Sequence, residues 1–227
     1  MANPTVTRAT EHRERYADRA AAGAALAEEL RDLAGRSDIV VLGLPRGGVP
    51  VAFEVAQRLS APLDVLVVRK LGLPRHPELA MGAVAGSAGE LRVVRNDEVI
   101  RRAHVRDRAF DKVLQAETAE LRRRENLYRG SREALPLGGR TVVLVDDGLA
   151  TGASMAVALR VIQEQGAACV VVAVPIGPAD VCAALAPQVD RLVCPWTPPD
   201  FVAVGAGYRE FGQTSDDAVR RLLGTVD

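Results

Sequence analysis

An excess of charge of either sign is missing from this 227-residue sequence: 29 Lys and Arg face 29 Asp and Glu. No global field draws such a chain to nucleic acid or to an anionic membrane, so any bound anion must be held by a local site. Cysteine is sparse as well. Cys169, Cys182 and Cys194 are odd in number and form no CxxC pair, which fits a reduced compartment and no structural zinc. Long apolar runs are also lacking. The longest are strand-sized, far short of the roughly 20 residues that span a bilayer. The opening MANPTVTRATEHRERY has no apolar stretch of signal-peptide type. A cytoplasmic protein is expected, with no membrane or nucleic-acid partner. Aromatics make up only 4% of the chain, so any cluster of them is informative. What remains is an ordinary globular composition, 48% hydrophobic and 26% charged, with no repeat, low-complexity tract or linker.

Apolar periodicity sets the order of elements. Residues 11–34, alanine-rich and without proline, read as an opening helix. Residues 38–44 (DIVVLGL) read as a buried strand and 49–59 as a helix. A second buried strand covers 63–69 (LDVLVVR), and a weaker one 91–95. Residues 96–126 are polar with spaced apolar positions, which suits a surface helix or two. A strand at 141–145 (TVVLV) is followed by a helix at 151–165 that Gly166 stops. A strand at 169–174, a short helix at 179–185 and a last strand at 191–194 complete the pattern. Strands alternating with helices imply an α/β fold, a parallel sheet with both faces covered. In such sheets ligands bind beyond the carboxyl ends of the strands, so the loops after the strands are the places to search.

The loop after Val145 is the most informative. Val142-Val143-Leu144-Val145 runs into Asp146-Asp147, then Gly148-Leu149-Ala150-Thr151-Gly152-Ala153-Ser154. Small residues let backbone approach a ligand, and free N–H groups at a helix start bind phosphate. Thr151 and Ser154 add hydroxyl donors. Two adjacent carboxylates would repel a phosphate. They make sense as acceptors for the vicinal hydroxyls of a ribose whose 5′-phosphate sits in the loop. The plain alternative is a strand–turn–helix with Thr151 as N-cap. The whole segment closely resembles the 5-phosphoribosyl 1-pyrophosphate (PRPP) motif of type I phosphoribosyltransferases. That resemblance implies that Asp146 and Asp147 hold the ribose hydroxyls. It also implies that Leu149, Ala150, Thr151, Gly152, Ala153 and Ser154 cradle the 5′-phosphate.

A second loop, Pro45-Arg46-Gly47-Gly48-Val49-Pro50, follows the first strand. Its glycines permit close approach and Arg46 brings a fixed fork of donors, equipment suited to another phosphate. The resemblance makes Arg46, Gly47 and Gly48 part of a pyrophosphate loop, with a non-proline cis bond at Pro45–Arg46. It makes the basic pair Arg69 and Lys70 face pyrophosphate and its Mg²⁺. That ion would be held mainly through PRPP, near Asp146 and Asp147.

Residues 72–89 (GLPRHPELAMGAVAGSAG) read as a mobile loop, and in the family a loop here closes over the reaction to exclude water. His76 reads as a surface histidine, and Glu78 is a candidate for contact with the base or Mg²⁺. Four aromatics fall within residues 196–211. They form either a small satellite core or a hood in which Trp196 or Phe201 stacks on a planar base. Phe201-Val202-Ala203-Val204-Gly205 is similar to the stretch that covers the base in 6-oxopurine phosphoribosyltransferases. One departure stands out: Ala150 occupies the place where those enzymes carry an acid, so a general acid or base either comes from elsewhere, with Glu78 the candidate, or is not needed. Arg122-Arg123-Arg124 reads as a solvated helix face among Glu117, Glu120 and Glu125.

These readings make one domain: a core over 37–95 and 140–190, a helical insert over 96–130 with room for a homodimer contact, and a hood over 191–211. The resemblance implies transfer of the 5-phosphoribosyl group from PRPP to a nitrogenous base, purine-like by the hood's similarity, with release of pyrophosphate. A PRPP- or nucleotide-sensing regulator and a hydrolase of a phosphoribosyl compound remain alternatives.

Overall fold

A computed structural model describes residues 14–87 and 90–225, apart from the side chains of Pro77, Glu78, Ser87 and Glu90. The chain opens with α1 (Arg19–Glu28), which Asp18 caps by accepting from the Ala21 N–H at 2.8 Å. A 3-10 turn at Arg31–Leu33 follows, then β1 (Ile39–Gly43), α2 (Gly48–Leu59) and β2 (Leu63–Val65). Next come β3 (Val68–Leu73), β4 (His76–Ser87) and β5 (Glu90–Arg95), then α3 (Asp97–Arg102) and α4 (Asp107–Arg129). The last third is β6 (Thr141–Val145), α5 (Ala153–Glu164), β7 (Cys169–Ala173), α6 (Ala179–Leu185), β8 (Arg191–Val193) and α7 (Asp216–Leu222).

Five strands form a parallel sheet in the order β2-β1-β6-β7-β8. Every residue of β1 and of β6 is buried, which explains why both are unbroken apolar runs rather than alternating ones. Alternation decides only which face each side chain enters. Val142 and Leu144 of β6 join Met155, Leu159 and Leu185 of α5 and α6, whereas Val143 and Val145 join Leu26, Val51 and Val55 of α1 and α2. With helices on both faces, the carboxyl edge of the sheet is the place left for ligands, and β6 stands at its centre.

Three expectations are corrected. The apolar run 63–69 is not one strand. Leu66 still donates to the Gly43 carbonyl in the parallel sheet, but the Val67 carbonyl accepts from Gly86 in a second sheet. The run serves two sheets in turn. Residues 72–89 are not a loop. Most of them form β4, the middle strand of an antiparallel sheet β3-β4-β5. The small residues there serve close packing: a Cβ on Gly82 would strike the Val94 carbonyl, and one on Gly86 would strike the Glu125 carboxylate. The opening helix is shorter than expected within the described residues, and α7 lies beyond the elements expected from periodicity. Ser215 caps α7 by accepting from the Ala218 N–H, and Val219 anchors it in the core.

The helical insert is no appendage. Phe110, Leu121 and Tyr128 of α4 are buried against Leu71 and Met81 of the second sheet. Arg129 reaches Asp64 of β2 at 3.0 Å, and the side chains are 10% and 4% exposed. Arg129 also donates to the Val65 carbonyl at 2.6 Å and to Glu125 at 2.8 Å. The Leu135 and Val65 N–H groups complete the set of donors to Asp64. A buried pair so fully bonded costs little while intact and a great deal when one partner is removed.

Candidate active site

At the carboxyl end of β6 the chain turns out of the sheet through Asp146 and Asp147. The Asp147 N–H donates to Asp146 Oδ1 at 2.8 Å. Burial raises the Asp146 carboxyl well above the usual carboxylate range, and the adjacent Asp147 charge adds to this. Asp147 has a different setting. Its Oδ2 accepts from Arg19 Nε at 2.9 Å and pairs with Arg19 Nη2 at 2.8 Å. Its main-chain carbonyl accepts from the Tyr208 hydroxyl at 2.6 Å.

The loop after β1 presses directly on this pair. A Cβ on Gly47 would collide with Asp147 Oδ2, and one on Gly48 would fall 2.8 Å from both the Asp146 Cα and the Val145 carbonyl. Glycine is required at both positions because two strand-end loops interlock there. The Pro45–Arg46 peptide is cis, as expected from the resemblance. Arg46 lies 3.9 Å from Asp216 of α7, which also accepts from Tyr128 at 2.7 Å. Burial, with Asp216 beside it, pushes the Tyr128 phenol up to about 12.

The segment after the two acids leads into α5. Gly152 has φ +72°, and a Cβ there would also crowd Val181 at 3.0 Å. The α-helical ladder starts with the Ala156 N–H bonding to Gly152, so the amides of Ala153, Ser154 and Met155 precede the first intrahelical partner. Ala150, Thr151, Ala153 and Ser154 are exposed. Leu149 differs from the other five residues expected in a phosphate cradle. It is buried in the core, and its N–H is committed to the Ile176 carbonyl at 2.8 Å.

The basic pair on β3 is divided by the pleat. Arg69 is bound to Glu117 of α4, with Nε at 2.7 Å and Nη2 at 2.6 Å. Lys70 is exposed and shares its face with Val68, which packs against the core on the α5 side. Only Lys70 is therefore on the α5 side. His76 is exposed at the start of β4. Glu78 lies on β4, and its side chain is outside the described residues.

The hood is an aromatic cluster gathered over Ile176. Tyr16 meets Trp196 edge-on at 6.0 Å and lies 5.8 Å from Tyr208. Tyr208 stacks on Phe211 at 4.9 Å. The Arg19 guanidinium sits 4.0 Å from the centre of the Phe211 ring. Trp196 and Phe201 are half-buried against this cluster. The cluster is the expected satellite core. It meets the loop after β6 directly, since a Cβ on Gly148 would fall 2.6 Å from Val204.

Residues 12–194 match the phosphoribosyl transferase domain family. The chain belongs to that family. Two proteins of Mycobacterium tuberculosis, from strains CDC 1551 and H37Rv, bear phosphoribosyl transferase as a provisional name. Each is 54% identical to it over 208 residues, which is 92% of this chain and 46% of theirs. The chain thus spans about half the length of the curated relatives it matches. The crystal structure of TT1426 from Thermus thermophilus is 46% identical, with a TM-score of 0.79 over 92% of this chain and 97% of that one.

Within this phosphoribosyl transferase fold, the structure brings together Asp146, Asp147, Gly47, Gly48 and the start of α5, while the Arg46 guanidinium faces Asp216. It does not bring Arg69 there. Arg19, Tyr16, Tyr208 and Phe211 also meet here, beyond the residues expected at the strand ends. The aromatic density near residue 208 was a usable signal for two of them. Arg19 had none, being one arginine of an alanine-rich helix 128 positions from its partner. Among the described residues no group of three or more His, Cys, Asp or Glu could hold a metal. The donor set still suits Mg²⁺ carried in by a substrate, since that ion uses one or two carboxylates plus phosphate oxygens. No helix among the described residues is long and apolar enough to cross a membrane.

Proposed function

We propose that this protein transfers the 5-phosphoribosyl group from PRPP to a ring nitrogen of a purine-like base. The C1′–oxygen bond to pyrophosphate breaks, a C1′–nitrogen bond forms, and the ring N–H proton leaves. The observation that carries this reading is the interlock of Asp146-Asp147 with Gly47-Gly48 at the head of the central strand, with the start of α5 beyond. A carboxylate pair that accepts from ribose hydroxyls lies between two anion-ready loops, in the order ribose, 5′-phosphate and pyrophosphate would need. Asp146 and Asp147 receive the diol. Ala150 to Ser154 take the 5′-phosphate through amides, hydroxyls and the helix start. Arg46, Gly47, Gly48 and Lys70 take pyrophosphate. Mg²⁺, held mainly through the substrate near Asp146 and Asp147, would neutralise pyrophosphate charge. The hood beside Trp196 and Phe201 receives the base. Ala150 leaves the phosphate loop without an acid, so positioning and charge stabilisation carry the rate.

The test is pyrophosphate release from PRPP and Mg²⁺ across a panel of purine and pyrimidine bases. Base-dependent release is expected. Ribose 5-phosphate formed in the no-base control would mark a hydrolase. PRPP binding without release on any base would mark a sensor.

A further inference from the structure

We propose that Arg19 is a positioning residue of the donor site: it pins Asp147 for the ribose diol and ties that carboxylate to the hood. The inference rests on the reading of Asp147 given above. Arg19 is the first residue of α1, and every nitrogen of its guanidinium is engaged. Nε and Nη2 hold Asp147 Oδ2 at 2.9 and 2.8 Å, and Nη1 donates to the Gly212 carbonyl at 2.7 Å. Its plane covers Phe211 at 4.0 Å. The Arg19 and Asp147 side chains are only 13% and 16% exposed, so solvent screens the pair weakly. With its nitrogens so engaged, Arg19 acts on a substrate through Asp147.

The geometry also says what the clamp does. Oδ2 is boxed between Arg19 and the backbone of Gly47, where a Cβ would collide with it. That hold on Oδ2 leaves Oδ1 as the acceptor for a ribose hydroxyl. The segment that carries Arg19 is stitched to the hood. Tyr16 N–H bonds to the Gly207 carbonyl at 2.9 Å, Arg209 N–H to Tyr16 at 2.8 Å, and Glu210 N–H to Ala17 at 2.9 Å. Helix start, hood and ribose acid are therefore one mechanical unit. A planar fork is needed to serve a carboxylate, a carbonyl and a ring face together, which an ammonium cannot do.

The test is calorimetry of the full chain with two ligands, each with Mg²⁺: PRPP, which carries the diol, and pyrophosphate, which does not. Arg19→Ala should weaken PRPP by about tenfold or more and leave pyrophosphate unchanged, because a misheld acceptor costs its hydrogen bonds only to the ribose. Arg19→Lys keeps the charge but not the fork and should lose several-fold on PRPP alone. If Arg19→Ala fails to melt cooperatively, Arg19→Lys is read by itself. Unchanged PRPP affinity overturns the proposal, as does an equal loss on both ligands, which would signify general loosening. Failure of the wild-type chain to bind PRPP would overturn the donor-site reading itself, and the proposal with it.

Discussion

At the strand ends of the parallel sheet, Asp146 and Asp147 come from one short stretch and Gly47 and Gly48 from another, each continuous in sequence. In the hood, Tyr16, Arg19, Trp196, Tyr208 and Phe211 come from both ends of the described chain. The first region is held by backbone geometry, because sheet register fixes β1 beside β6 and loops leave each strand at a set height: Gly43 pairs with Val145. The second is held by side chains and scattered main-chain bonds. A small parallel sheet thus sets these two loops against each other with little beyond its own register. The aromatic cluster, by contrast, is assembled from remote pieces.

The comparison can be broken from either side. The largest effect should come from Arg129→Leu, which leaves Asp64 buried without its cation and should cost about 3–5 kcal/mol in denaturant unfolding. Because Arg129 joins the helical insert to the sheet edge and not to the strand-end loops, PRPP affinity measured well below the melting temperature should stay unchanged. A parallel loss of affinity would show that the insert shapes the donor end. Gly48→Ala should do the reverse. Its Cβ meets backbone at 2.8 Å, and a displacement of the Asp146 turn should weaken PRPP by about 100-fold, with a much smaller fall in Tm.

The two acids themselves should differ. Asp147→Asn should cut turnover by about tenfold or more, since its carboxylate is one of the two acceptors proposed for the ribose diol. The smallest effect is one of stability, and its sign follows from linkage. Below the ordinary carboxylate value of 3.8 Asp146 is protonated in both folded and unfolded chains. Above it the unfolded chain ionises first, so the wild type loses stability with rising pH until the raised folded pKa is passed. The amide that replaces this carboxyl in Asp146→Asn has no proton to lose in either state. The Tm of that variant relative to wild type should therefore grow with pH across that window, and a flat difference would refute the burial of Asp146.

Both regions were legible to different degrees. The loop after Val145 and the loop after Leu44 could be read because their chemistry is contiguous: apolar strand, special residues, helix start. The 72–89 segment was misread because Gly and Ala carry two meanings. They loosen a solvated loop, and they let a strand lie against another element, as Gly82 does under the Val94 carbonyl. Arg69 and Lys70 looked like a pair, yet a strand's period of two sends neighbours to opposite faces. Leu149 looked like a cradle residue, yet its amide bonds to the Ile176 carbonyl.

By itself the sequence determined the α/β architecture, the position of the central strand and the identity of the carboxylate pair, since each is set by local periodicity and loop chemistry. Only the tertiary structure decided that Arg19 clamps Asp147, that Tyr16 and Tyr208 gather with Trp196 over Ile176, and that Arg129 neutralises Asp64. Those partners are 128 and 65 positions apart for the two ion pairs. No local pattern encodes a contact of that length; it exists only once the sheet and its helices have brought the segments together.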